Sequence, residues 1–272
     1  MRFSQLVAVA ASQGGGAAAS DVDLWAAAVV ANGGSVSAGR KTLVGTFIAA
    51  LKTAGSWALT DDLWILAAEN EAQALTSLKQ RRLATAVATP TFTADAGHAF
   101  NGSSQYLNTG FIPSTHAAAM TGSNMRTTCY ERTNVVAAGA AAGTLDTSTR
   151  NLQVNPRVSG NFIRFGANSS LTPGAVTVTD SRGFVVGSRS AGPTFSIYKN
   201  GSLVETVSPA ANATVLPTRA YYIGALNNAG TAASFRASTL GFASVGASLS
   251  AGQEADDYAA LQTLMTAIGA NV

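Results

Sequence analysis

The sequence predicts a mainly β protein: an antiparallel sandwich of jelly-roll type, with a helical region before it and one amphipathic helix after it. Three observations carry this. From about residue 84 to 250, short runs rich in Val, Thr, Phe, Ile and Tyr alternate with Asn-Gly, Pro and Ser-Gly pairs every 8–15 residues. Residues 1–83 and 251–272 instead carry apolar residues at helical spacing. No helical pattern interrupts the β zone, which excludes a parallel βαβ arrangement.

The elements follow in chain order. Met1-Arg2-Phe3 and Leu6 to Ala11 form an apolar stretch too short for a secretory signal, and we read it as mature sequence. Gly14-Gly15-Gly16 and the alanines after it read as a spacer. Ser20 or Asp21 caps a first helix whose apolar face runs through Leu24, Trp25, Ala28 and Val29 to a stop at Asn32-Gly33-Gly34. A second helix starts near Ser37, carries Leu43, Val44, Phe47, Ile48 and Leu51, and ends at Gly55. Trp57 to Ala68 follows, where the short apolar run after Asp61-Asp62 suits a strand or a buried helical turn. A third helix is expected over 71–82, with Lys79, Arg81 and Arg82 at its C-terminal end, where the helix dipole favours cations.

Strands are expected at 98–101, 105–109, 126–133, 151–156, 161–166, 175–180, 183–190, 194–199, 203–208, 219–225 and 235–245. The strongest local signal is Thr194 to Glu205, where alternating residues lead into and out of Asn200-Gly201, as a type I′ hairpin requires. Ser250 caps the last helix, with Glu254, Asp256 and Asp257 near its start and Tyr258, Leu261, Leu264, Met265 and Ile268 along one stripe. The domains expected are therefore 1–83 (helical attachment or oligomerisation), 84–250 (the sandwich) and 251–272 (a helix packed on the rest).

Several motifs resemble a known group. Phe100-Asn-Gly-Ser-Ser-Gln-Tyr106-Leu107 is similar to the opening strand pair of concanavalin A-like, laminin-G-like jelly rolls. Arg189 with Ile197-Tyr198-Lys199-Asn200-Gly201, then Tyr221-Tyr222-Ile223-Gly224, and a closing strand from Phe235 to Val245 resemble the later strands of the same fold. The Leu51 to Ala68 segment and the close from Gly246 through Ile268 resemble proteins encoded by tailed phages and prophages of α-proteobacteria. The resemblance implies a virion protein (tail fibre or tip, head spike or capsid decoration) assembled in a bacterial host. Its partners would be other virion proteins, further copies of itself and host surface polysaccharide, bound by the jelly-roll loops.

The chemistry is sparse. Only 11% of residues are charged, against about 25% in ordinary chains, which suits a surface covered by neighbours. Glycoside hydrolysis needs two facing carboxylates, yet the β zone holds only Asp95, Glu131, Asp146, Asp180 and Glu205, none in a side-by-side spacing. Among them Glu131 and Asp146 are the acids an enzyme would use, and Asp95 or Asp146 the ones a calcium site would use. Cys129 is alone and reads as a small half-buried hydrophobe; a triad with His98 or His116 lacks any supporting motif. No enzyme activity, cofactor or metal is expected. Residues 84–250 hold ten basic against five acidic residues, nine of the ten being Arg, while the tail helix carries three acids and no base. These arginines are either solvent-facing or in contact with anionic glycan or acidic neighbours; their scatter argues against nucleic acid. No apolar run is long enough to cross a membrane. All three Trp lie in the leader, which leaves Tyr and Asn/Ser loops for sugar contact. The glycan-binding candidates are Tyr106, Arg164, Arg189, Tyr198, Asn200 and Asn227.

Overall fold

A computed structural model describes residues 19–173, 176–190, 192, 194–208 and 213–272. The spacer and the opening apolar stretch lie outside the described residues, as do Gly174 and Ala175 near the strand expected at 175–180. The leader opens with α1 (Asp21–Ala31) and α2 (Ala38–Thr53). Ser20 and Asp23 form a reciprocal capping box on α1, and the Ser37 hydroxyl accepts from Arg40 N at the start of α2. A single turn, α3 (Ser56–Leu59), leads into β1 (Thr60–Ile65), so the apolar run after Asp61-Asp62 begins as a strand.

The third helix is shorter than its pattern: α4 spans Glu71–Leu75. Tertiary bonds take the next residues. Leu78 N donates to Leu63 O, Ser77 N to Arg82 O and Ala84 N to Leu75 O, and Arg81 takes a left-handed φ of 59°. The segment thus turns back beside β1 and does not extend the helix.

The β zone contains β2 (Thr85–Val87), β3 (Thr91–Thr93), β4 (Gly97–Ala99) and β5 (Tyr106–Asn108), then the turn α5 (Pro113–His116). The longer strands follow: β6 (Asn124–Glu131), β7 (Ala142–Thr147), β8 (Arg150–Val158) and β9 (Phe162–Ala167), with the short β10 (Thr172–Pro173). Next come β11 (Gly183–Ser190), β12 (Phe195–Lys199) and β13 (Ser202–Val207). The chain closes with β14 (Tyr222–Ile223), β15 (Leu226–Asn228), β16 (Thr231–Ala233), β17 (Thr239–Gly246) and α6 (Ala251–Ala267), which has a Ser250–Gln253 capping box. The expected strand at 175–180 is not one in the residues described there, and β2, β3, β7, β10, β15 and β16 lie outside the expected strand ranges.

Two sheets face each other. The first runs β13-β12-β11-β6-β17-β4-β3, with β1 also hydrogen-bonded along β17 (Leu63 opposite Ser244). The second runs β10-β9-β8-β7-β14-β5-β2, with β15 parallel to β7 and β16 beyond it. Between them lies a core that includes Leu107, Met125, Leu152, Phe165, Val185 and Ile223. A second core lies on the other side of the first sheet, where α1, α2 and α6 cover Tyr130, Phe184, Val186, Tyr198 and Phe242 with Trp25, Val44, Phe47, Leu261 and Met265. The order of layers is helices, first sheet, second sheet.

Buried ions fasten the helical layer. Arg126 on β6, almost fully buried, donates to Glu254 (3.2 Å) and Asp257 (3.1 Å) of α6 and to the Thr60 hydroxyl. Burial pushes Glu254 up to about 7 against the opposing pull of Arg126. Asp62 is buried beside the 77–80 turn, where its carboxylate accepts from Leu63 N and Gln80 N. Burial outweighs those bonds and raises its pKa to about 6.

Two outcomes follow. Substituting Arg126→Met strands two buried carboxylates and is expected to cost about 3–5 kcal/mol in urea unfolding. Asp62 holds its proton more firmly in the fold than at its ordinary value of 3.8. Its contribution is therefore full below that value and lost as pH rises through about 6. Asp62→Asn should match the wild type near pH 4 and exceed it above pH 7, by on the order of 3 kcal/mol. Parallel stability curves across that pH range would refute this assignment.

Candidate functional site on the outer face of the second sheet

The helices occupy the outer face of the first sheet, so the second sheet's outer face carries no helix. Its central side chains are nonetheless buried: Asn151, Gln153, Asn155 and Tyr222 are each at most 7% exposed. Its composition follows from alternation along each strand. On β8, Leu152 and Val154 enter the core while Asn151, Gln153 and Asn155 point outward; on β9, Ile163 and Phe165 enter while Arg164 and Gly166 point outward. Thr85, Asn108, Tyr222, Gly143, Gln153 and Gly166 are successive directly paired positions across six strands and share this face. Two residues away along their strands, Tyr106 on β5 and the opposed pair Asn155–Arg164 lie on the same face.

One end is aromatic. The rings of Tyr106 and Tyr222 stack with centroids 4.5 Å apart, and Phe235 lies 6.2 Å from Tyr106. Tyr106 and Phe235 are half-buried, while Tyr222 is covered, which pushes its hydroxyl pKa up. Beside them, Asn101 Oδ1 accepts from the backbone N–H of Ser103, Ser104 and Gln105. That Asx-type fastening holds Asn101, Ser103 and Ser104 exposed on a defined loop.

The other end is cationic and amide-rich. Ala138 O accepts from Asn155 Nδ2 (3.1 Å) and Arg164 Nη2 (3.0 Å). Arg157 donates through Nη1 to Asn134 Oδ1 and through Nε and Nη2 to Asn161 Oδ1. The 134–140 loop above them is pinned by Arg236, which reaches Ala137 O and Gly139 O while pairing with Glu131 at 2.5 Å, both side chains fully buried.

Of the six residues expected to bind glycan, Tyr106 and Arg164 share this face; the other four sit elsewhere. Arg189 is 4% exposed, and its guanidinium donates to the carbonyls of Gly122, Ala167, Asn168, Gly192 and Ala213. Tyr198 is buried in the core under the helices. Asn227 is 3% exposed and bridges Ala220 O and Gly230 N. Asn200 is exposed at the β12–β13 hairpin with φ 48°, its Oδ1 taken by Phe184 N. The structure thus gives the first three packing and loop-bracing duties in place of surface contact. The polar–apolar alternation from Asn151 to Asn155 places Gln153 and Asn155 on this face, whereas no local pattern marks Phe235 or Arg157 as part of the site.

The other reactive candidates are accounted for. Glu131 is the partner of Arg236, and Asp146 pairs with Arg150 at 3.1 Å and accepts from Thr218 N at 2.7 Å. Cys129 is fully buried, and burial pushes its thiol pKa up, away from thiolate chemistry. His98 is enclosed between Phe92 and Phe100, and its pKa is lowered by burial. The His116 Nδ1 accepts from Ile112 N. Among the described residues no three Cys, His, Asp or Glu side chains come together as a metal site, and no helix is long and apolar enough to cross a membrane.

No protein-family model and no curated protein matches this chain. Solved structures do match in shape. A Trypanosoma rangeli sialidase in complex with 2,3-difluorosialic acid aligns over 82% of this chain and 39% of its own, at 13% identity and a TM-score of 0.53. Domain 4 of a GH43 extracellular arabinanase from Geobacillus stearothermophilus aligns over 67% of this chain and 92% of its own, at 10% identity and a TM-score of 0.45. The binding domain of botulinum neurotoxin serotype D covers 74% of this chain and 52% of its own, at 10% identity and a TM-score of 0.49. The sialidase match shows a shared β-sandwich fold, over about two fifths of that protein's length.

Because Arg189 braces five carbonyls, Arg189→Leu should lower the urea midpoint by the equivalent of about 1–3 kcal/mol. A variant as stable as the wild type would free Arg189 from this bracing assignment.

Proposed function

We propose that the protein is a glycan-binding module without hydrolytic chemistry, carried on a phage particle, with the outer face of the second sheet as its binding surface. The observation that carries this reading is the Tyr106–Tyr222–Phe235 cluster on the sheet face that carries no helix, with the exposed Asn101, Ser103 and Ser104 on the loop that leads into Tyr106. Aromatic rings give a sugar's C–H face an apolar platform, while fixed amides and hydroxyls supply directional hydrogen bonds. The sandwich shared with a sialidase supports the fold on which the reading rests.

Hydrolysis fits poorly. The two acids best placed in sequence, Glu131 and Asp146, are held in ion pairs with arginines, and Glu131 has no exposure. The opposite side of the molecule suits attachment to other particle proteins or to further copies. There α2 and α6 border a groove of about 430 Å³ lined by Ala50, Thr53, Ala54, Asp256, Ala259, Ala260 and Thr263. Tail fibre or tip, head spike and capsid decoration are all compatible with such a layout, and a subunit that only builds the particle is the competing reading.

The test is saturable binding to host cells or to an array of their surface polysaccharides. Tyr106→Ala should weaken binding at least tenfold, about 1.4 kcal/mol, with its thermal midpoint close to the wild type and no reducing ends released by either protein. A flat array would favour the purely structural subunit, and release of reducing ends would favour an enzyme.

A further inference from the structure

The carboxylates of residues 84–250 are all engaged. Asp95 pairs with Arg40, Glu131 with Arg236, Asp146 with Arg150 and Asp180 with Arg182, while Glu205 accepts from Val176 N. Among the described residues, two arginines at the β9 end of the candidate face have no acid within ion-pair distance. Arg164 is half-buried, uses Nη2 on Ala138 O, and keeps a buried Nε with no partner. Burial holds its pKa below the ordinary guanidinium value, with no acid nearby to oppose that shift. Arg157 reaches only the neutral amide oxygens of Asn134 and Asn161. Directly opposite Arg164 stands Asn155, fully buried, with Nδ2 on Ala138 O and Oδ1 unpartnered, so the floor of this end is amide and not carboxylate.

A guanidinium taken partly out of water without a counter-charge is costly, and a bound anion offsets that cost. The planar fork of Arg matches a carboxylate through parallel N–H···O bonds. Tyr106 lies four strand steps from Arg164 on the same face, roughly 19 Å at about 4.8 Å per strand. The side chains between them on that face, Tyr222, Gln153 and Asn155, are buried, so the Arg164 end is a separate point of contact.

We propose that Arg164, supported by Arg157, receives the carboxylate of an acidic sugar, at a contact separate from the Tyr106 cluster. This deepens the glycan-binding reading and rests on it. The ligand class is a uronic-acid-bearing polysaccharide.

The experiment uses the full chain, alginate oligosaccharides and the same oligosaccharides after carboxyl reduction, compared by calorimetry at low and high salt. The acidic form should bind at least tenfold more tightly, with the margin shrinking as salt rises. Arg164→Gln should erase that margin while leaving binding of the neutral form in place. Arg164→Lys, which keeps the charge and loses the fork, should retain the wild-type thermal midpoint and only part of the preference. Equal affinity for both forms, or an undiminished preference in Arg164→Gln, would overturn the carboxylate assignment and leave the glycan reading standing. Binding of neither form by the wild type would remove this proposal, and a flat array alongside it would remove the wider reading as well.

Discussion

The central strands of the first sheet, β6, β11 and β17, are buried on both faces, and most of the molecule follows from that constraint. Along β6, Cys129 enters the core between the sheets while Tyr130 enters the core beneath the helices. The same alternation recurs in β11, where Val185 faces one core and Phe184 and Val186 the other, and in β17 with Ala243 and Phe242. Strands in this position have no solvent face on which to spend charged residues. The low charge fraction of the chain therefore has a cause inside the fold: a sheet that most sandwiches leave wet on one side is here a middle layer. Coverage by neighbours is not needed to explain all of it.

A middle layer also dictates where the remaining charges go. Arg126 and Glu131 sit on β6 itself, and each is met by opposite charge from a segment that would otherwise be free to move: α6 for Arg126, the 234–238 loop for Glu131. Such pairs stabilise little against an apolar alternative, yet losing one partner is severe, so they act as registration pins. Asp61 works similarly without a cation. Its carboxylate accepts from the backbone of Ala118, Ala119 and Met120, tying the loop after α5 to β1. The outer face of the second sheet is thus framed by loops that the hidden side of the molecule holds in place.

Local signals were legible in the sequence wherever local physics decides. The caps at Ser20, Ser37 and Ser250, the Asn200-Gly201 hairpin and the long alternating strands lie where the residues place them. The failures are tertiary. Helical periodicity continues past Leu75, but Leu63 O and the Thr76–Leu83 bridge offer competing backbone bonds, and the helix stops. β7 opens on the last two residues of an Ala- and Gly-rich run from Ala137 to Gly143, which hides its start, and pairing with β8 and β14 creates it. The site was half legible for the same reason. Tyr106 and Arg164 sit on alternating strands and stay half-exposed at two ends of a face whose centre is covered. Tyr198 has an equally good pattern, but it lies on the sheet that the helices cover. Which face a residue takes is local; what covers that face is not.

The layer order has a consequence for how the molecule meets a surface. α1 and α6 belong to the same outer layer, separated from the candidate face by two sheets. At about 10 Å per layer contact, a body held through its helices would stand its second sheet roughly 20 Å proud of the support, facing away from it. Copies held side by side in that way would offer parallel faces to one polymer. Each contact could then be weak and quickly reversible while the array as a whole held fast, because every engaged face raises the effective concentration seen by the next.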